Sequence, residues 1–160
     1  GKIKSNSKNE TPVSNIDFYP TLLEATGTVK PNSKILDGQS LLPLFFGNKS
    51  FDTERPLFWH FPIYLESSYH QFKDGRGLFF RTRPGSVVRL GKWKLHEYFE
   101  DGDIELYNLE VDQGEHNNLA ENHPDVVKKL YQTMIKLRME TNAPVPKELN
   151  PFYDKSFINR

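Results

Sequence analysis

The sequence of 160 residues contains no cysteine. Disulfide cross-links, thiolate nucleophiles and cysteine-based zinc sites are thereby excluded, though the absence says nothing of the redox compartment. An excess of charge is also missing, because 21 Lys and Arg offset 21 Asp and Glu. Nucleic-acid and membrane-surface binders carry a basic excess, so neither kind of partner is expected. No apolar run approaches the ~18 residues that a membrane-spanning helix needs. The polar opening, Gly-Lys-Ile-Lys-Ser-Asn-Ser-Lys-Asn-Glu, lacks the apolar core of a signal peptide. It starts at Gly1 instead of Met, as a fragment or processed product does, and such a product would have lost an export signal. A glycine-rich phosphate loop, H-E-x-x-H and G-x-S-x-G are all absent, as are internal repeats and low-complexity tracts.

What remains is a globular composition, 36% hydrophobic and 13% aromatic. A chain of this length buries roughly two-thirds of its unfolded surface, enough for one domain, or one domain plus a piece of another. Ser14-Asn15-Ile16-Asp17 has capping-box spacing. Phe18, Leu22, Leu23 and Ala25 follow at helical intervals and stop at Gly27. Pro20 is tolerable only in a first turn, so Asp17 competes with Ser14 as the cap of a short helix over about 17–26. Asp37-Gly38 marks a turn, and Ser40 caps a short apolar segment, Leu41 to Phe46.

From Pro56 to Pro62 the chain reads as a dense apolar strand, and apolar residues on both its faces predict burial on both sides. Residues 63–80 are irregular, as functional or mobile loops are. Gly85–Leu90, Lys92–Phe99 and Ile104–Leu109 then alternate around Gly91 and Asp101-Gly102, which predicts an antiparallel meander. Pro124 suits a first helical position. Val126, Val127, Leu130, Tyr131, Met134, Ile135 and Leu137 form one stripe of an amphipathic helix. The fold class is therefore α+β: an antiparallel sheet of about four strands packed against one long C-terminal amphipathic helix, preceded by a short helical segment. The boundary falls near residue 50, giving units 1–50 and 51–160.

No nucleophile has a base beside it and no metal cage is visible. The acidic run Glu100-Asp101-Gly102-Asp103-Ile104-Glu105 lacks EF-hand spacing and sits where a hairpin must turn, so turn chemistry explains it. His116 and His123 fall in polar loops, and His96 faces water or a polar neighbour. His60, between Trp59 and Phe61, is either a hydrogen-bonded core histidine or a histidine facing a site. Arg81 and Arg83 share one side of an extended segment. They either form surface salt bridges or offer planar donors to sulfate, phosphate or carboxylate.

Four motifs taken in order resemble one family. Val13-Ser14-Asn15-Ile16-Asp17-Phe18-Tyr19-Pro20-Thr21-Leu22-Leu23-Glu24-Ala25-Thr26-Gly27 resembles the helix that closes the catalytic domain of sulfatases. Leu36-Asp37-Gly38-Gln39-Ser40-Leu41-Leu42-Pro43-Leu44 resembles their D-G-x-S-L-x-P-L, and Gly91-Lys92-Trp93-Lys94-Leu95 their G-x-W-K-L. The run Glu105-Leu106-Tyr107-Asn108-Leu109, with Asp112, Gly114-Glu115 and Asn117-Asn118-Leu119-Ala120, resembles E-L-Y-N-L…D-x-G-E-x-N-N-L-A.

The resemblance implies an alkaline-phosphatase-like parent whose catalytic domain carries C/S-x-P-x-R, the formylglycine made from it, and a calcium ion. None of these motifs occurs in this sequence, so the 160-residue chain is expected to be inactive, with its cofactors in the missing N-terminal catalytic domain. That domain is its expected partner. The other is a sulfated carbohydrate substrate, bordered by His60, Arg81 and Arg83, with His70 in the loop between. Exposed apolar surface left by the missing domain could support a dimer. The resemblance implies a periplasmic or extracellular parent. The alternative is a stand-alone binding module for anionic glycans, or a domain of a phosphate or phosphonate ester hydrolase.

Overall fold

The computed structural model describes residues 2–47, 50–63, 65–66 and 80–148. The chain divides into two compact units, Gly1–Leu57 and Phe58–Arg160, where the sequence suggested a division at residue 50.

In the first unit a single 3₁₀ turn, Asn15–Asp17, leads into helix α1, Phe18–Thr26. Asp17 is the N-cap, and Pro20 falls in the first turn, where its missing N–H costs nothing. Gly27 ends the helix in the left-handed region at φ 66°, and its N–H donates to the Glu24 carbonyl. A second short helix, α2, covers Leu42–Phe45. The Leu42 N–H donates to Ser40 Oγ at 3.3 Å, so the expected serine bonds the first turn although Leu41 is the formal cap.

Asp17, fully buried, organises this unit. Its carboxylate accepts from the Ser14 N–H at 2.8 Å, from the Gln39 N–H at 2.9 Å, and from the Arg55 guanidinium. Thr21 Oγ donates to the Asp17 carbonyl at 2.5 Å and accepts from the Leu41 N–H at 2.8 Å, tying the chain after the Asp37-Gly38 turn to α1. The turn runs so close to the chain at Ile16 that a Cβ at Gly38 would lie 2.2 Å from the Ile16 carbonyl oxygen. Only glycine fits there.

The strands are β1, Leu57–Phe61, which begins at the last residue of the first unit; β2, Leu65–Glu66; β3, Phe80–Thr82; β4, Gly85–Leu90; β5, Trp93–Tyr98; and β6, Ile104–Asn108. They form a four-stranded antiparallel sheet in the order β1-β4-β5-β6 and a separate antiparallel pair, β2-β3. Gly91 at φ 56° and Gly102 at φ 73° make the two tight turns of the meander. The register aligns Val88 with Leu95 and Leu95 with Leu106, and all three are fully buried. Helix α3, Pro124–Thr141, lays Leu130 and Met134 onto this row. Phe58, Trp93, Val126, Val127, Tyr131 and Leu137 close around it. The α+β architecture read from the sequence is the architecture observed.

Two local expectations change. The strand beginning at Pro56 was expected to be covered on both faces, yet Trp59 is 44% exposed. β1 lies at one end of the sheet order, and only Phe58 among its residues packs against the central cluster. Apolar composition alone therefore overstated its coverage. Second, the stretch 63–80, read as irregular, contains β2 and the start of β3, while residues 64 and 67–79 lie outside the described residues.

The opposite edge, β6, is closed by the loop that follows it. The Leu106 N–H donates to Asn118 Oδ1 at 3.0 Å, Asn118 Nδ2 donates to the Ile104 carbonyl at 3.3 Å, and the Leu119 N–H donates to the Leu106 carbonyl at 2.8 Å. A side-chain amide here does the work of a fifth strand and removes a pairing edge.

Burial alone would raise the Asp17 carboxyl, but the hydrogen bonds from Arg55, Ser14 and Gln39 outweigh it and hold the group below its ordinary value. A depressed carboxylate stabilises the fold above its unfolded value, about 4, and that contribution is lost as pH falls through the lower folded value. Acid unfolding followed by circular dichroism should therefore show a stability loss below about pH 4. In Asp17→Asn that limb should flatten, and an unchanged acid limb would remove Asp17 as its source.

Candidate functional site

The sheet face against α3 carries a chain of polar groups where apolar ones would be expected. Trp93, Leu95, Glu97 and Phe99 alternate onto this face. Arg138 lies four and eight residues beyond Met134 and Leu130, on the same stripe of α3. Glu97 and Arg138 therefore meet as an ion pair, with their side chains 13% and 8% exposed. Tyr131 Oη donates to Glu97 Oε1 at 2.9 Å. The Arg138 guanidinium lies 4.9 Å from the Phe99 ring centroid, within cation–π range. Burial lowers the guanidinium from its ordinary value, but arginine stays charged throughout the physiological range.

Arg138 Nε donates to Ser86 Oγ at 2.9 Å, and Ser86 is 1% exposed. Ser86 Oγ also lies 2.8 Å from His60 Nδ1. Ser86 Oγ thus bridges the guanidinium and the imidazole. The Pro144 carbonyl can only accept, so His60 Nε2 carries a proton and donates to it at 2.8 Å. Phe58 and Phe99 flank the ring, with centroids 6.1 and 5.6 Å away. Both ring nitrogens of His60 thus have partners within the chain, and in this arrangement neither is open to a substrate oxygen.

Arg83 follows β3. Its Nε donates to Glu100 Oε2 at 2.6 Å and one terminal nitrogen donates to Asp101 Oδ2 at 2.7 Å, with Tyr98 beneath the guanidinium at 5.2 Å. Burial alone would lower this group, but the two carboxylates raise it. Asp101-Gly102 makes the predicted turn, and Glu100 and Asp101 clamp Arg83 across it. Arg81 lies in the middle of β3, and its side chain is outside the described residues, as is all of His70. The structure places His60 and Arg83 in separate hydrogen-bonded clusters.

On the opposite face of β5, Lys94 Nζ lies 2.5 Å from Glu115 Oε1, and His96 Nε2 lies 2.8 Å from Glu115 Oε2. Burial and the nearby Lys94 lower the His96 imidazole against the opposing pull of Glu115. Its polar partner is thus a residue of the family-like loop. Asp112 in the same loop accepts from the His116 and Asn117 N–H groups, which hold its carboxyl below the usual range. His116 and His123 are exposed. Among the described residues no three His, Asp or Glu side chains converge as a metal ion would require.

Arg138 and Glu97 were missed by sequence reasoning. The available signal was charge at apolar positions: a Glu continuing the Trp93-Leu95 alternation and an Arg continuing the Leu130-Met134 stripe.

A family model described as N-sulphoglucosamine sulphohydrolase, C-terminal, matches residues 1–140. A protein from Formosa agariphila described as a sulfatase is 34% identical over 158 residues, covering 90% of this chain and 26% of its own length. Arylsulfatase K of Mus musculus is 28% identical over 159 residues, covering 98% of this chain and 26% of its own. Among solved structures, that of a 2-O GAG sulfatase has a TM-score of 0.68 at 24% identity over 94% of this chain and 31% of its own, a likeness of fold. The chain spans about a quarter of the length of these curated relatives.

Removing one partner of a buried ion pair strands the other, at a cost of about 3–5 kcal/mol, whereas an apolar replacement of both is often near neutral. Urea unfolding should show that loss for Glu97→Leu and for Arg138→Met alone, with most of it recovered in the double variant. Additive losses in the double variant would show that the two side chains act independently.

Proposed function

The chain belongs to the N-sulphoglucosamine sulphohydrolase C-terminal family and is the C-terminal portion of a sulfatase, and we propose that its parent hydrolyses sulfate esters of carbohydrates. The carrying observation is the family match across residues 1–140. The family's description names a sulphated glucosamine, and the 2-O GAG sulfatase shares the fold, which favours a sugar over another alcohol. The calcium and formylglycine that the resemblance implies do not fit the described residues, which offer no metal cage, and the sequence has neither a cysteine nor S-x-P-x-R. No hydrolytic step is therefore routed through this chain, which on its own is inactive.

Its role is to support the parent's fold and border the substrate cleft. Arg81 contacts an anionic group of the sugar, a task suited to a planar guanidinium. Arg83, already held by Glu100 and Asp101, fixes the chain where β3 leads into β4. The partner is the parent's N-terminal catalytic region. It covers the outer face of α1, where Phe18, Tyr19 and Leu22 are 59%, 50% and 62% exposed. Side chains at i and i+4, such as Phe18 and Leu22, form one apolar patch. The parent works in a periplasm or outside the cell.

Sulfate release from N-sulfated and O-sulfated glucosamine should be detected with the full-length parent and not with residues 1–160. Arg81→Ala in the parent should raise KM about tenfold or more, the scale of a lost charged hydrogen bond. Release by the isolated chain would overturn the assignment of chemistry to the rest of the parent. Light scattering should find the isolated chain self-associating through α1, and Leu22→Glu should return it to a monomer. A wild-type chain that stays monomeric at all concentrations would count against a covered face.

A further inference from the structure

We propose that His96 is a proton-sensitive latch: its neutral ring holds Glu115, and with it residues 113–117, against the sheet, and a second proton on the ring loosens that loop. The latch concerns the loop that follows β6 and does not depend on the substrate of the parent.

One carboxylate serves two basic side chains of β5. Glu115 Oε1 lies 2.5 Å from Lys94 Nζ, and Oε2 lies 2.8 Å from His96 Nε2. A carboxylate only accepts, so Nε2 carries a proton, and in the neutral ring Nδ1 is the nitrogen left to take another. That further proton sets an imidazolium beside an ammonium, with the Glu115 carboxylate between them, and like charges disfavour each other. The His96 side chain is only 16% exposed. Across the sheet it stands opposite Val87 of β4 and Glu105 of β6. The Tyr107 ring meets it edge-on at 5.7 Å, and the Tyr98 ring lies 6.1 Å away. Arg89 stands opposite Lys94 on the same face. Glu105 and Glu115 favour the charged ring, but burial and Lys94 prevail and hold it below its ordinary value.

The loop that this contact holds is strained and otherwise unattached in its middle. Glu115 sits in the left-handed region at φ 57°, which residues bearing a Cβ rarely adopt. Such a backbone persists only where its surroundings hold it. Both ends of the loop are anchored. The Asp112 N–H donates to the Asn108 carbonyl at 2.9 Å, and Asn118 is bonded to Ile104 and Leu106. Between these anchors Gln113, Gly114, His116 and Asn117 are exposed. The His116 and Asn117 N–H groups bond within the loop, to Asp112. Among the described residues Glu115 alone joins 113–117 to the sheet by hydrogen bonds. Losing the grip on Glu115 therefore frees the middle of the loop while its ends, and the face of the sheet against α3, stay in place. A closed loop that keeps His96 below the ordinary histidine value of about 6.5 is favoured above that value and weakens as pH falls toward the lower one. Carboxylates titrate later, near about 4.

The test takes residues 1–160 from about pH 8 to about pH 4.5, above the carboxylate range. Imidazole ¹⁵N spectra follow His96. Hydrogen-exchange mass spectrometry, corrected for the intrinsic pH dependence of exchange, follows residues 113–117. His96 should titrate below about 6.5, with the proton of the neutral ring on Nε2. Protection of 113–117 should fall severalfold over the range in which His96 titrates, with β5 still protected. His96→Gln keeps a side-chain N–H for Glu115 and cannot titrate, so its loop should stay protected throughout. His116→Gln removes the other histidine of the loop and should leave the fall unchanged. A His96 that titrates at or above the ordinary value, or loop protection that does not change with pH, would overturn the proposal. So would a fall that survives in His96→Gln or disappears in His116→Gln. Should His96→Gln disturb the sheet, seen as lost β5 protection, the wild-type titration and His116→Gln still decide.

Discussion

The second unit depends on one constraint: a charged pair enclosed between sheet and helix must find all its hydrogen-bond partners nearby. Glu97 and Arg138 meet where an apolar core would ordinarily continue. Stripping two charges of water is costly, and the mutual attraction offsets that cost only if the remaining donors and acceptors are also used. Tyr131 serves Glu97, Ser86 serves Arg Nε, and Phe99 lies against the guanidinium. Each requirement fixes another element, so β4, β5 and α3 are held in one relative register, and His60 on β1 is drawn in through Ser86. The apolar row Val88–Leu95–Leu106 supplies the burial, and the polar chain supplies direction. An apolar interface alone would tolerate α3 sliding along the sheet.

The first unit solves a similar problem around Asp17. One buried carboxylate accepts from two backbone N–H groups far apart in sequence and from Arg55. With two short helices and few buried apolar side chains, this unit has little hydrophobic burial to define it. The carboxylate converts a turn, a helix start and a later loop into one structure. The close passage at Gly38 is part of the same arrangement, because any side chain there would force the Gln39 N–H away from Asp17. Its resemblance to D-G-x-S-L-x-P-L thus has a steric reason.

Periodicity made α3, the meander and α1 legible, since each has a full period of apolar residues bounded by Pro, Gly or Asp-Gly. The cap at Asp17 was also legible, because Pro20 restricts where the helix can begin. The coverage of β1 was not, because strand position within a sheet is a nonlocal property that composition does not encode. The ion pair escaped for a related reason: each charged residue continues the apolar stripe of its own element, but that an opposite charge stands across from it is a nonlocal fact. Only when both periodicities are phased against each other do Glu97 and Arg138 fall opposite. For the candidate site the residue types were readable and their partners were not. His60 was open to an interior or a site-facing role, and the choice turns on Ser86 and Pro144, 26 and 84 residues away. Arg83 was open in the same way until Glu100 and Asp101 were placed beside it.

The motifs that make the family recognisable are for the most part scaffold. Asn118 closes the edge of β6, Asp112 holds its own loop, Glu115 binds Lys94 and His96, and Trp93 and Leu95 build the core. These residues serve backbone groups and packing that any chain with this fold must satisfy. Such roles carry no information about which ester is cleaved. His60 and Arg81 lie outside that pattern. A sequence can announce its family through the parts that do no chemistry while the parts that select a ligand remain locally unremarkable. Their meaning becomes visible only through what the fold sets beside them.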